Sequence, residues 1–225
     1  MEIISKDARI DVEKLTSLLL RRKTTRLRFR FPLTQEQAYS VLLAAYRAEV
    51  EYRHRDFIAD RHCLASIASL AKSLTAEKPR FGIMLCGTCG NGKTTLLYAF
   101  RSALSYLNAL HLFEEDKSVR IMSAKDIAML SKDYDRFRDI RTLDMLAIDD
   151  MGREPREVLD YGNELTPIID LLEYRYNEQL FTLITTNHKA EEIRERYGGR
   201  IADRFNEMLD VIIFEDGSFR NQKSK

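Results

Sequence analysis

The chain has 225 residues, 44% apolar and 32% charged, an ordinary globular composition with enough length to bury roughly 70% of the surface its unfolded form exposes. Three cysteines (Cys63, Cys86, Cys89) are too few to staple a secreted fold, and nothing at the N-terminus resembles a signal peptide. No apolar run approaches the roughly 18 residues of a membrane span, so no membrane association and a cytoplasmic location are expected.

The net charge of +1 conceals an asymmetry: residues 1–30 hold nine Lys/Arg against four Asp/Glu, and the rest of the chain is net −4. The basic charge concentrates in RRKTTRLRFR, Arg21 to Arg30, which has six cations and no acid, with Leu27 and Phe29 interleaved. Two readings stay open. One is an extended arm whose apolar residues pack on the body; the other is a contact with nucleic-acid phosphates or an acidic partner.

From Pro32 the pattern is helical. Thr34 to Gln37 forms a capping box ahead of Ala38, Val41, Leu42, Ala45 and Ala48 at helical spacing. A second helix is predicted over Arg61 to Ser73, ending before Pro79. Phe81 to Cys86 reads as a buried strand entering a glycine-rich loop, and Lys93 to Leu107 as the helix that leaves it. VRIMSA, Val119 to Ala124, is a second strand, and Ser123 caps the helix after it through Asp126. LDMLAIDDMG, Leu143 to Gly152, is a third strand ending in two acids. Thr166-Pro167 is an N-cap with proline at the first helical position. LFTLITTN, Leu180 to Asn187, is a fourth strand; two short helices separated at Gly198-Gly199 follow, and Val211 to Phe214 is a fifth.

This alternation predicts an α/β fold, a parallel five-stranded sheet with helices on both faces. Right-handed crossovers place the C-terminal ends of all strands along one edge, where ligands bind. The glycine loop, Asp149-Asp150 and Asn187 all fall there.

Gly87-Thr-Cys-Gly-Asn-Gly-Lys-Thr94 matches the phosphate-loop pattern G-x-x-x-x-G-K-[ST] between a strand and a helix, the context it requires. The loop curls its N–H groups toward phosphate oxygens and the following helix adds its positive end. ATP and Mg²⁺ are the ligands expected. Gly87, Thr88, Cys89, Gly90, Asn91, Gly92, Lys93, Thr94 and Thr95 would contact the nucleotide, with Lys93 on the β- and γ-phosphates and the Thr94 hydroxyl on the metal. Asp149 would hold hydrated Mg²⁺, and Asp150 suits a base that orients and deprotonates water. Asn187 could polarise that water or simply cap a turn. In the helix after Gly199, Ile201, Ala202, Phe205, Met208 and Leu209 share one arc, leaving Arg200 and Arg204 facing outward. They are either a solvated basic edge or a means of reaching a neighbouring subunit's γ-phosphate.

Cys86 and Cys89 stand at C-x-x-C spacing, but Cys63 and four scattered histidines (His54, His62, His111, His188) supply no second ligand pair for zinc. Cys86 ends a buried strand, and Cys89 fills a free position of the phosphate loop.

On GIMLCGTCGNGKTTL, MLAIDDMG, LITTN, GGRIADRF and EDGSFR, in this order between Ala71 and Arg220, the chain resembles AAA+ ATPases of the DnaC-type helicase-loader and IstB-type transposition-helper group. The resemblance implies a P-loop NTPase (AAA+/RecA-like) domain over residues 71–225 with no separate C-terminal lid; residues 1–70, a short basic and helical region, match nothing in it and are expected to contact partner or DNA. The resemblance also implies roles: Lys93 and Thr94 in the first nucleotide motif, Asp149 and Asp150 in the second, and Asn187 sensing the γ-phosphate. Arg204 would be the trans-acting finger with Arg200 beside it, and Arg220 a second sensor contacting nucleotide. Cys89 departs from the group's usual proline and Asp150 from its commoner glutamate.

The function implied is ATP hydrolysis driving the loading of a replicative helicase onto single-stranded DNA by an oligomer that assembles on ATP. The alternative is assistance to a transposase. A P-loop small-molecule kinase is disfavoured by Asp150, by Asn187 and by the lack of an arginine-rich lid; a nucleotide-gated binding module without turnover is a further class. Ala124 to Arg141 sits where related initiators carry a DNA-contacting helical insertion. Lys125, Lys132, Arg136, Arg138 and Arg141 could serve there, although Asp126, Asp133, Asp135 and Asp139 nearly cancel them.

Overall fold

The structure, a computed structural model, describes residues 11–22 and 27–214, with the backbone alone at 20–22. Its elements are α1 (Val12–Arg22), α2 (Gln35–Tyr52), α3 (Arg61–Thr75), β1 (Gly82–Gly87), α4 (Lys93–Ala109), β2 (Arg120–Ser123), α5 (Ala124–Leu130), α6 (Tyr134–Thr142), β3 (Met145–Met151), β4 (Val158–Asp160), β5 (Asn163–Leu165), α7 (Pro167–Asn177), β6 (Phe181–Thr186), α8 (Ala190–Met208) and β7 (Leu209–Phe214). The five strands expected pair in the order β2-β3-β6-β1-β7, all parallel. The short antiparallel pair β4-β5 stands apart from them.

Because successive strand residues point to opposite faces, the core divides in two. Ile83 and Leu85 of β1 join Ala147, Leu183 and Ile212 beneath α2, α3 and α4. Met84 joins Leu146, Ile148 and Ile184 beneath α5, α7 and α8. The boundary expected at residue 70/71 lies inside α3, and both α2 and α3 bury their apolar faces in the same core as the sheet. Over residues 31–70 the N-terminal region therefore packs into the same body as the sheet.

Local chemistry sets the helix starts. The Thr34 hydroxyl accepts from the Gln37 N–H at 3.2 Å while the Gln37 side chain accepts from the Thr34 N–H at 3.0 Å. Ser123 accepts from the Asp126 N–H at 3.0 Å. Pro167 opens α7, as its missing N–H allows. The two helices expected around Gly198 are present as the two halves of α8, which meet at a kink where Gly198 takes the non-helical angles φ +85° and ψ +160°.

In the described part of the basic stretch, residues 27–30 are extended without strand pairing. Phe29 packs edge-on to Phe31, Phe100 and Phe181, and Arg28 donates to the Pro79 carbonyl at 3.0 Å, as the packed-arm reading requires. Leu27 is fully exposed and does not follow it.

At the edge of the sheet opposite the glycine loop, Arg175 is wholly buried. Its guanidinium donates to the carbonyls of Leu143 (2.7 Å), Arg141 (3.2 Å) and Phe181 (2.6 Å), and to the Thr182 hydroxyl (2.9 Å). These bonds tie the approaches to β3 and β6 to α7, which fixes the register in which their far ends meet.

Candidate functional site

The loop from Gly87 to Thr94 closes tightly. Gly92, the N-cap of α4, has φ +94°, and a Cβ there would lie 2.3 Å from the Tyr46 hydroxyl oxygen, so the position needs glycine on both counts. The Asn91 amide donates to the Phe214 carbonyl at 3.4 Å, fastening the loop to the end of β7. Lys93 is buried with its ammonium folded onto the loop, donating to the carbonyls of Gly87 (2.6 Å) and Thr88 (2.7 Å) and to Asn91 Oδ1 (3.0 Å). Burial lowers its pKa below the ordinary lysine value, against the opposing pull of the Asp150 and Asp149 carboxylates. An ammonium seated among three neutral oxygens is a charge that phosphate oxygens would satisfy better. The Thr95 hydroxyl accepts from Arg53 at 3.2 Å.

The third and fourth expected strands end beside this loop. Asp149 Oδ1 accepts from the Thr94 hydroxyl at 3.0 Å and from the Thr185 hydroxyl at 2.6 Å. Thr185 in turn accepts from the Asp150 N–H at 2.8 Å. Thr94 Oγ1 and Asp149 Oδ1 are hard oxygen donors suited to a Mg²⁺ that keeps several waters. Asp150 adopts φ +55°, and its carboxylate pairs with Arg153 at 3.0 Å. Asn187 follows β6 directly and lines a cleft of about 1130 Å³ with Cys86, Gly87 and Thr88. The cleft continues between α8 and β7 past Ile193, Phe205 and Ile213.

The arginines of α8 depart from expectation. Arg200 is exposed, but Arg204 is only 13% exposed, because α7 supplies a carboxylate and an aromatic ring on that side. Both guanidiniums approach Glu173 Oε1, Arg200 at 3.3 Å and Arg204 at 2.9 Å, and Arg204 lies over the Tyr176 ring at 4.9 Å. The Arg204 approach is an ion pair without the alignment of a hydrogen bond. Arg204 therefore does not face outward, and the partners of both arginines lie on α7 rather than on the phosphate loop. Arg220 lies outside the described residues.

No protein-family profile matches the chain, and no curated protein does. Solved structures match at low identity. A DnaC helicase loader has a TM-score of 0.53, with 20% identity, over 76% of this chain and 99% of that one. DnaI has a TM-score of 0.53, with 21% identity, over 72% and 86%. The replication initiator DnaA, solved with AMPPCP and single-stranded DNA, has a TM-score of 0.51, with 18% identity, over 72% and 49%. The chain has the fold of these structures, a five-stranded parallel sheet with helices on both faces.

Within this fold, four residues that sequence reasoning passed over belong to the site's surroundings: Tyr46 beneath Gly92, Arg53 on Thr95, Thr185 on both acids, and Glu154, buried beyond Asp150. Only Thr185 carried a signal, as a polar residue at the exit of an apolar strand. The cations of the segment from 124 to 141 are partly occupied internally. Arg136 pairs with Asp133, Arg138 with Asp135, and Arg141 stacks over Tyr174. Among the described residues, no helix is long and apolar enough to cross a membrane.

Proposed function

We propose that this protein binds and hydrolyses ATP and uses the cycle to load a replicative helicase onto single-stranded DNA. The observation that carries the ATPase reading is the junction of Thr94, Asp149, Thr185 and Asp150 at two strand ends beside the Lys93 loop. Lys93 would exchange loop carbonyls for β- and γ-phosphate oxygens. Mg²⁺ held by Thr94 and Asp149 would neutralise charge accumulating on the transferred phosphoryl group. Asp150 orients the attacking water and takes its proton, and Asn187, just beyond the end of β6, polarises it. Breaking the bond between the γ-phosphorus and its bridging oxygen releases ADP and inorganic phosphate.

The loader assignment draws on the shared fold with DnaC and DnaI, and the single-stranded DNA partner on the DnaA complex. Oligomerisation on ATP binding completes the proposal: the exposed Arg200 would reach a neighbour's nucleotide, Arg204 would do so on leaving Glu173 and Tyr176, and Arg220 would contact the chain's own nucleotide.

Phosphate release with and without single-stranded DNA tests the enzyme. A low basal rate is expected, abolished by Lys93→Ala and lowered about 10²–10⁴-fold by Asp150→Asn, which still binds ATP. Unchanged turnover in Asp150→Asn would overturn its role as base. Co-purification with a hexameric helicase tests the partner; recovery of a transposase instead would replace the loader reading with that of a transposition helper.

A further inference from the structure

We infer that Glu154 is a positioning residue, which fixes the Asp150 carboxylate in place by bracing the end of β3 against α8. The inference rests on the reading of Asp150 as the base.

The Glu154 side chain is 1% exposed. Oε2 accepts from the Gly152 N–H at 2.8 Å, two residues beyond Asp150. Oε1 accepts from the Tyr197 hydroxyl at 2.5 Å and from Arg196 at 3.2 and 3.3 Å, and Arg196 also donates to the Glu154 carbonyl. A carboxylate this deep is tolerated because both oxygens are satisfied by charged or well-aligned donors. On the other side of the same turn, the His188 ring packs where a Cβ on Gly152 would stand, 2.0 Å from the ring carbon Cδ2. The segment from Asp150 to Glu154 is thus held between His188, which follows Asn187, and the end of the first half of α8.

This bracing matters because Asp150 sits in left-handed backbone geometry, which persists in a non-glycine residue where the surroundings over-determine it. Its local restraints are the Thr185 hydroxyl on its N–H, a turn bond from the Arg153 N–H at 3.2 Å and the exposed Arg153 guanidinium on its carboxylate at 3.0 Å. None of them ties the turn to α8; Glu154 does. The phosphate loop is fastened independently, through Asn91 to Phe214 and through Thr94 to Asp149. Loss of the brace should therefore displace the base and leave nucleotide binding alone. Tyr197 immediately precedes the break at Gly198, beyond which lie Arg200 and Arg204. A neighbour that moves the second half of α8 would pull on Glu154, giving the hydrolytic centre a mechanical link to the subunit surface.

The test uses the full chain, measuring phosphate release at saturating and limiting ATP, the affinity of a fluorescent ATP analogue, and thermal melting as a folding control. Glu154→Gln should lower kcat at least ~10-fold, in keeping with the cost of displacing a reacting group by about 1 Å, with KM and analogue affinity within about twofold. Tyr197→Phe removes one of the bonds and leaves the buried charge paired; it should lower kcat ~3-fold or more, and it carries the test should Glu154→Gln fail to fold. The double variant Asp150→Asn/Glu154→Gln should be no slower than Asp150→Asn alone. Full kcat in both single variants, a rise in KM at constant kcat, or additive losses in the double variant would overturn the inference while Lys93-dependent turnover persisted in the parent. Absence of Lys93-dependent turnover in the parent would overturn the ATPase reading, and the inference with it.

Discussion

The Thr94 hydroxyl lies 3.0 Å from the Asp149 carboxylate, joining two residues 55 positions apart in the chain, and the same carboxylate oxygen also receives the Thr185 hydroxyl at 2.6 Å. Asp149→Ala should abolish Mg²⁺-dependent phosphate release, read as loss of the Mg²⁺ titration curve. Thr185→Val should do more to stability, because it leaves the half-buried Asp150 N–H without its acceptor, at a cost of about 1–3 kcal/mol in denaturant unfolding. A Thr185→Val protein of parental stability would show that this bond is replaced by water.

Arg204 is sheltered by Glu173 and Tyr176, so its contribution to a neighbouring site must be separated from its packing. Arg204→Lys keeps a cation near Glu173 but loses the planar fork. It should melt close to the parent, bind ATP, and lose turnover by as much as ~10³–10⁵, the range for arginines acting in trans. Mixing Arg204→Ala with Lys93→Ala protein should restore part of the rate through mixed interfaces. No restoration at any ratio would leave Arg204 as a packing residue.

The thiols should separate by burial. Cys89 is exposed, Cys63 is buried with its pKa raised by desolvation, and burial pushes the Cys86 thiol up to about 11. A raised thiol pKa means less thiolate at a given pH, on the order of 0.1% for Cys86 at pH 8. Brief alkylation at pH 8, read by peptide mass spectrometry, should therefore modify Cys89 alone, and labelling of Cys86 should climb as pH approaches 11. ATP should protect Cys89; equal labelling with and without nucleotide would place the phosphates elsewhere.

Arg175 predicts a stability effect remote from the nucleotide. Arg175→Met would remove the donors from three backbone carbonyls and one hydroxyl in the interior. The expected loss is about 3–5 kcal/mol, lowering Tm by ~6–20 °C. Near-parental melting would mean that the strand approaches hold their register without it.

The sequence by itself determined the features governed by short-range chemistry. The glycine spacing of the phosphate loop, the caps at Thr34 and Ser123, proline at the start of α7 and the apolar runs of five strands each report on residues within a few positions of one another. Those runs also set the ends of β3 and β6, at Met151 and Thr186, hence the edge of the sheet where the site assembles. The small elements were not legible: β4 and β5 have three residues each, too few to show a period, and α6 offers only Phe137 and Ile140 to the core. Tertiary structure decided what each charged side chain meets. Helix angles put Arg204 off the apolar arc, yet α7 supplies Glu173 and Tyr176 to cover it. Glu154 reads as one more loop acid until Arg196 and Tyr197, over 40 positions later, arrive to bury it. Backbone preference is local, but the partner of a charge is set by packing between distant segments, and no spacing along the chain encodes that directly.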